Sequence, residues 1–287
     1  MKVELVKPQG YCAGVLNAIK VAYQAKNDNP EKNIYVLGML VHNKIVIDEL
    51  TKSGINTLEV QDDELPEIIN QGDVVIFTAH GHSDKLENNA IKKGLIIYDA
   101  TCPIVKNNLE KIKNEISKSK QVIYIGQKGH KESSAALSIS PNVIFYDTKE
   151  GMDYAKISDS SPLVLNQTTL NFLSLKEIHE EIKNKLPNCN IENEICAATR
   201  LRQEAILKIS DDVDLIIIVG DNKSSNSKKL FDIATTNLSG RIIMVENLDE
   251  LKTYDLGIYK KAAIASGAST PIKVVNEIQS YLENNFR

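Results

Sequence analysis

"VELVKPQGYCAG", residues 3–14, runs from an apolar stretch through a short turn to a cysteine, Cys12. The same order returns twice. "LIIYDATCP", residues 95–103, ends on Cys102, with Pro103 suited to a first helical position. "NIENEICAAT", residues 190–199, sets Cys196 in a similar place. Cys12 and Cys102 are 90 positions apart, and Cys102 and Cys196 are 94 apart. A helical pattern follows each cysteine. Val15, Ile19 and Ala22 share one face, as do Val105, Leu109, Ile112 and Ile116, and then Leu201, Ala205 and Ile209. Three cysteines at three helix starts predict three similar α/β units. A helix N-terminus also favours thiolate, the form of cysteine that binds metal.

A second set of segments keeps the same rhythm. "DVVIFTAHGHS" (73–83), "QVIYIGQKGHKES" (121–133) and "VDLIIIVGDNKSSNS" (213–227) are each a short apolar run followed by a glycine-bearing polar loop. Such runs read as buried parallel strands. In open α/β sheets ligands bind beyond the carboxyl ends of the strands, so these loops are where chemistry is expected. No low-complexity linker separates the units, which are expected to pack around a shared centre. The expected boundaries are 13–101, 102–192 and 193–287, with 1–12 adding an N-terminal strand and the first cysteine.

Composition narrows the class. Of 287 residues, 42% are hydrophobic and 25% charged, the balance of a globular protein with a substantial core. The formal net charge of −4 argues against a basic surface for nucleic acid. Apolar runs such as "LIIIV" at 215–219 have strand length, so no membrane span is expected. "MKVELVKPQG" has no long apolar core and does not read as a secretory signal. A cytoplasmic protein with reduced thiols is therefore expected, and disulfides are not.

The strand-end loops are rich in donors. His42 follows "NIYVLG", His80 and His82 follow "DVVIF", and His130 and Glu132 follow "QVIYIG". "NQTTL" adds Gln167, Thr168 and Thr169; "SSNS" adds Ser224, Ser225, Asn226 and Ser227; "SGASTP" adds Ser266 and Ser269. One histidine at a strand end is usually structural. Four of the five in such places point to a site. His179, within a helical run, is expected on the surface. Hydroxyls, amides and imidazoles on glycine-flanked loops suit phosphate oxygens. Neither a Walker-type loop nor a dinucleotide-binding glycine pattern is present, so a small phosphorylated ligand is favoured over ATP or NAD.

"GYCAGV", "VHN", "AHG", "DATCP", "GHKE", "QTTL", "ICAAT" with "RQEA", "SSNS" and "GAS" occur in the order and spacing of the LytB/IspH family. The chain resembles that family over essentially its whole length. The family reduces 4-hydroxy-3-methylbut-2-enyl diphosphate in the last step of the methylerythritol phosphate route to isoprenoids. The resemblance implies three small α/β lobes, with parallel-type sheets, arranged pseudo-three-fold around a central iron–sulfur cluster. It implies a 4Fe-4S cluster held by Cys12, Cys102 and Cys196, with one open iron. By the same resemblance His42, His80 and His130 contact an allylic diphosphate substrate, chiefly its diphosphate. Ser224, Ser225, Asn226 and Ser269 complete that pocket, Thr168 lies near the hydroxyl end, and Glu132 donates the proton. Ferredoxin or flavodoxin is the implied electron donor, and Cys189 is a bystander. Gln9, Tyr11, His82, Lys131 and Asp221 depart from the family's usual residues, as does "TRLRQ" at 199–203; none removes a ligand or the acid.

Three other readings compete. A zinc hydrolase would bring ligands close in sequence, as in C-x-x-C or H-E-x-x-H, and neither is present. A non-catalytic iron–sulfur sensor would need the cysteines without the His, Thr, Ser, Asn and Glu set. Core-filling cysteines are common, but their equal spacing would then have no packing reason.

Overall fold

The structure, a computed structural model, describes residues 1–61, 63–192 and 195–286. Strand β1 (Lys2–Leu5) leads to helix α1 (Ala13–Asp28). Next come β2 (Ile34–Leu37), α2 (Lys44–Lys52), β3 (Ile55–Leu58), β4 (Val74–Phe77), α3 (Asp84–Lys92) and β5 (Ile96–Asp99). After α4 (Pro103–Ser117) follow β6 (Val122–Gly126), α5 (Lys131–Leu137), β7 (Val143–Asp147), β8 (Leu163–Asn166), α6 (Phe172–Lys185) and the short β9 (Asn190–Ile191). The last part holds α7 (Ala197–Ile206), β10 (Leu215–Val219), α8 (Ser225–Asn237), β11 (Arg241–Val245), α9 (Leu248–Leu251), β12 (Lys261–Ser266) and α10 (Ile272–Asn285).

The strands form three separate sheets of four, in the orders β3-β2-β4-β5, β7-β6-β8-β9 and β11-β10-β12-β1. Among the described residues, every pairing between these strands is parallel. The three orders are one pattern: the second strand of a unit lies at the edge, then the first, third and fourth. In the last sheet the fourth strand is β1, so the chain's first strand completes its final sheet. The fourth strand of every sheet is the one that precedes a cysteine. The expected boundary between 192 and 193 falls at Asn193 and Glu194, outside the described residues, as does Arg287.

Central strands are apolar throughout because helices cover both faces. In the first sheet Ile34, Val36, Val74 and Ile76 face α1 and α2, while Tyr35, Leu37, Val75 and Phe77 face α3. The other two sheets repeat this double burial. Among the described residues no helix is long and apolar enough to cross a membrane.

One helical face differs from expectation. In α7 the buried residues are Thr199, Arg202, Gln203 and Ile206, and Leu201 is 52% exposed. Leu201 and Ala205 lie off the buried face because α7 turns polar side chains inward, whereas Ile209, just beyond the helix, is buried as expected. The polar side chains bond to the loops on either side of the helix, as described below.

Candidate active site

The three cysteines are the N-caps of α1, α4 and α7. Their backbones are held alike. The N–H of Cys12 donates to the Ala268 carbonyl, that of Cys102 to Ala79 and that of Cys196 to Thr168, at 3.0, 3.0 and 3.2 Å. Each acceptor lies in the loop after the third strand of a sheet. The adjacent central strands diverge to opposite sides in connectivity, which opens the crevice where an α/β sheet binds ligands. His42, His80, His130, Thr168, Ser224 and Ser269 all lie on the six loops that leave those central strands.

All twelve residues to which the resemblance gives a role line one cavity: Cys12, Cys102, Cys196, Glu132, His42, His80, His130, Thr168, Ser224, Ser225, Asn226 and Ser269; of the other strand-end donors, Thr169 lines it and His82, Gln167, Ser227 and Ser266 do not. Val15, Val41, Val105, Ala79 and Ala198 supply apolar wall between them. Gly14 shows how tightly the sulfurs are drawn in. A Cβ there would lie 2.7 Å from Sγ of Cys102 and 3.8 Å from Sγ of Cys12. Any side chain at position 14 would push the Cys102 thiol aside.

The imidazoles form a second wall. Ring centroids of His42 and His80 are 4.6 Å apart, and those of His80 and His130 are 6.0 Å apart, edge to face. Burial pushes His42 down from its ordinary value, against the opposing pull of Asp221. Burial, then the neighbouring His42 and His130, pushes His80 well down. Burial pushes His130 down to about 4, helped by His42. Three close imidazoles cannot all charge unless an anion joins them. Opposite stands the N-terminus of the 13-residue α8, capped by Ser224 accepting from Ser227 N–H. Its dipole and free N–H groups favour negative charge. Asn226 is 4% exposed, and neither its Nδ2 nor its Oδ1 has a partner. A buried amide with nothing to bond to is costly, so the cavity is built for a polar ligand.

Site residues also join the units. Ser269 Oγ donates to the His42 carbonyl at 2.9 Å. Ser225 Oγ accepts from Thr169 Oγ1 at 3.1 Å and contacts Oε1 of Gln127 at 3.3 Å. Gln203 accepts from Phe172 N–H and donates to the Leu170 carbonyl, which fixes the loop carrying Thr168. Sequence reasoning gave Gln203 and Arg202 no role, although both lie in the quoted "RQEA". Among the departures, His82 and Lys131 line a neighbouring cavity of about 440 Å³ that shares His42 and His80. His179 is half-buried on α6, not fully at the surface.

Glu132 lies in the first turn of α5, 3% exposed. Thr168 donates to both its oxygens, N–H to Oε2 and Oγ1 to Oε1, each at 2.8 Å. Burial outweighs these bonds and pushes the carboxyl up to about 7. The folded chain therefore keeps a proton that the unfolded chain releases from about pH 4.5, the ordinary value. The contribution of Glu132 to stability falls as pH rises from about 4.5 to about 7 and then levels off, a change of about 3 kcal/mol. Glu132→Gln removes this cost. Compared with wild type, its urea midpoint is expected to rise at pH 8 and to change little at pH 4.5. The histidines titrate identically in both proteins and cancel in the comparison. Equal differences at both pH values would rule out a buried, proton-retaining Glu132.

A sequence profile of the LytB protein family matches residues 3–283. The chain belongs to the LytB family. A protein of Anoxybacillus flavithermus named 4-hydroxy-3-methylbut-2-enyl diphosphate reductase is 37% identical, the match covering 99% of this chain and 90% of that protein. One of the same name from Symbiobacterium thermophilum is 38% identical, covering 99% and 97%. The solved E-1-hydroxy-2-methyl-but-2-enyl-4-diphosphate reductase of Plasmodium falciparum superposes with a TM-score of 0.88 at 28% identity, covering 99% of this chain and 88% of that one. Another solved reductase, the terminal enzyme of the non-mevalonate pathway, gives 0.68 at 28% identity, covering 99% of each chain. The LytB fold of three parallel four-stranded sheets is thus shared across the whole chain.

The LytB cysteines can be tested against a cluster. Among the described residues no three His, Cys, Asp or Glu side chains are grouped tightly enough for one metal ion. Yet the three thiols line one cavity and feel one another. Burial pushes the Cys102 thiol up, and the charges of Cys12 and Cys196 push it further up. Three thiols from three helix N-termini on one cavity fit a multi-iron centre. Cys12, Cys102 and Cys196 would hold such a centre, which would supply the positive charge that thiolates need.

Proposed function

We propose that the chain is a 4-hydroxy-3-methylbut-2-enyl diphosphate reductase. Two electrons and two protons remove the allylic hydroxyl as water and leave isopentenyl diphosphate and dimethylallyl diphosphate. The observation that carries this reading is the convergence of Cys12, Cys102 and Cys196, one from each helix N-cap, on a cavity walled by His, Ser, Asn and a proton-holding Glu. The cysteines would hold a 4Fe-4S cluster that supplies the electrons and, at an iron without a protein ligand, a Lewis acid for the hydroxyl.

The chain's own residues do the rest. Ser224, Ser225, Asn226, Ser269 and the N-terminus of α8 receive the diphosphate with neutral donors, and His42, His80 and His130 add imidazole N–H groups. Thr168 fixes both oxygens of Glu132, so the carboxyl presents its proton in one orientation. A carboxyl pushed up to about 7 still carries that proton near neutral pH. A small ferredoxin or flavodoxin in the cytoplasm is the proposed electron source. The lobes 13–101, 102–192 and 193–287, with 1–12 joining the last, are the proposed units around the centre.

Anaerobic purification tests the reading. Bound iron and sulfide, a visible charge-transfer spectrum and formation of both products from the allylic diphosphate with a reduced dye are expected. A colourless, iron-free and inactive anaerobic protein would overturn it. Within this function His80→Ala and Asn226→Ala each remove a diphosphate donor. A hydrogen bond to a charged group is worth about 1.5–3 kcal/mol, so substrate affinity is expected to weaken about 10–100-fold. Cluster content should be kept and kcat affected less than KM. Unchanged affinity in both variants would remove these residues from the diphosphate pocket.

A further inference from the structure

One buried cation, tied to the segments that carry Cys12 and Cys196, has no part in the function as stated. Arg202 projects from α7, six positions after Cys196, and is 5% exposed. Its Nη2 donates to the Gly10 carbonyl at 2.6 Å, two residues before Cys12, and its Nη1 donates to the Ala198 carbonyl at 3.1 Å. Its Nε is buried without a partner. Gly10 lies two residues before Cys12 and Ala198 two after Cys196, so the fork holds the guanidinium against both cysteine segments. Burial pushes it down from its ordinary value, and those two cysteines push it back up. A buried guanidinium paired only with carbonyls is costly, and an anion nearby is what offsets that cost.

We propose that Arg202 is a positioning residue for the iron–sulfur centre: its fixed charge raises the centre's reduction potential, and its fork ties the Cys12 loop to the Cys196 helix. This rests on the cluster assigned to Cys12, Cys102 and Cys196. A 4Fe-4S centre on three thiolates is anionic and becomes more so on taking an electron. A buried positive charge bonded to the backbone two residues from each of Cys12 and Cys196 favours the reduced form, and low dielectric around it keeps the effect from being screened. The two parts of the role separate chemically. Gln at 202 keeps amide donors for the carbonyls but has no charge. Lys keeps the charge but loses the fork.

The test is a redox titration of anaerobically purified wild type, Arg202→Gln and Arg202→Lys, followed by electron paramagnetic resonance, with iron and sulfide measured in each. Arg202→Gln is expected to keep its cluster and to show a ratio of reduced to oxidised centre at least tenfold lower at the wild-type midpoint. Tenfold corresponds to about 59 mV for a one-electron couple. Arg202→Lys should stay within about threefold of wild type. A wild-type potential in Arg202→Gln would overturn the proposal, as would equal shifts in both variants, which would make the residue only a clamp. If Arg202→Gln cannot hold a cluster, retention decides. Iron kept by Arg202→Lys supports the charge; iron lost equally from both overturns it. Wild type without iron and sulfide would instead bring down the cluster assignment itself, and this proposal with it.

Discussion

Glu132→Gln is expected to slow turnover by about 10²–10⁴, the usual contribution of a positioned general acid, while leaving substrate affinity and cluster content near wild type. The side chain is buried, and Thr168 donates to both its oxygens. Gln can keep both contacts. Its Oε1 accepts from the Thr168 N–H, and its Nε2 donates to the Thr168 hydroxyl, which rotates to receive it. Shape and hydrogen bonding persist, and only the acidic proton is lost. The wild-type carboxyl, pushed up to about 7 by burial, is protonated below that pH and ionised above it. An acid must carry its proton to donate it. The wild-type rate should therefore fall as pH rises through about 7, and the residual Glu132→Gln rate should lack that limb. His130 is the alternative donor in reach of the same loop. Without a bound anion its imidazole, pushed down to about 4, is mostly neutral near pH 7, whereas Glu132 keeps its proton there. Anaerobic steady-state kinetics with a reduced dye, beside substrate titration of the optical spectrum, measures both quantities. Near-normal turnover in Glu132→Gln would return the role to His130 or to the substrate's own diphosphate.

Much of this arrangement is legible in the chain because the fold repeats. A strand, a turn and a cysteine at a helix start recur at 90 and 94 positions, and in space each of these cysteines caps a helix and bonds to the loop of the neighbouring strand. Parallel strands buried on both faces must be apolar throughout, so "VVIF", "VIYIG" and "LIIIV" stand out. Loops at their carboxyl ends then had to carry the donors. What the sequence hides is whatever breaks the apolar rule. The face of α7 was misread because Arg202 and Gln203 are buried for what they bond to, and no periodicity marks a buried polar residue. β9 is two residues long and lies inside an otherwise polar stretch, which leaves no pattern to detect. Local pattern alone also gives no sign that β1 pairs with β12, since their partnership spans nearly the full chain. The protonation of Glu132 depends on burial and so appears only once the chain is folded.

The cysteines make the sharper division between a cluster and a coincidence of packing. Ser at position 12, 102 or 196 is expected to abolish most bound iron and sulfide and to drop turnover to background. Serine is nearly isosteric, but its hydroxyl ionises far less readily than a thiol and is a harder ligand, poorly matched to an iron–sulfur centre. Losing merely an outer-shell partner of a metal ligand costs about 10–100-fold in affinity, so losing one of three ligands should cost more. The three losses should be alike, because each thiol stands at the same place in its unit: N-cap of a helix, N–H bonded to a neighbouring loop, sulfur facing the shared cavity. Cys189 is the internal control. It lies between α6 and β9, packs on the core of the second sheet beside Leu186 and Ile191, and does not line the cavity. Burial pushes its thiol up, as expected for a sulfur that only fills space. Cys189→Ser should keep its iron, sulfide and turnover, at a cost confined to stability. The measurement is iron and sulfide content with the visible spectrum for all four variants, purified anaerobically. Bleaching in Cys189→Ser with colour retained in Cys12→Ser would overturn the assignment. Retention of a full cluster in any one of the three would mean that the remaining two thiols suffice, and the three-fold repeat would then have to be explained by packing alone.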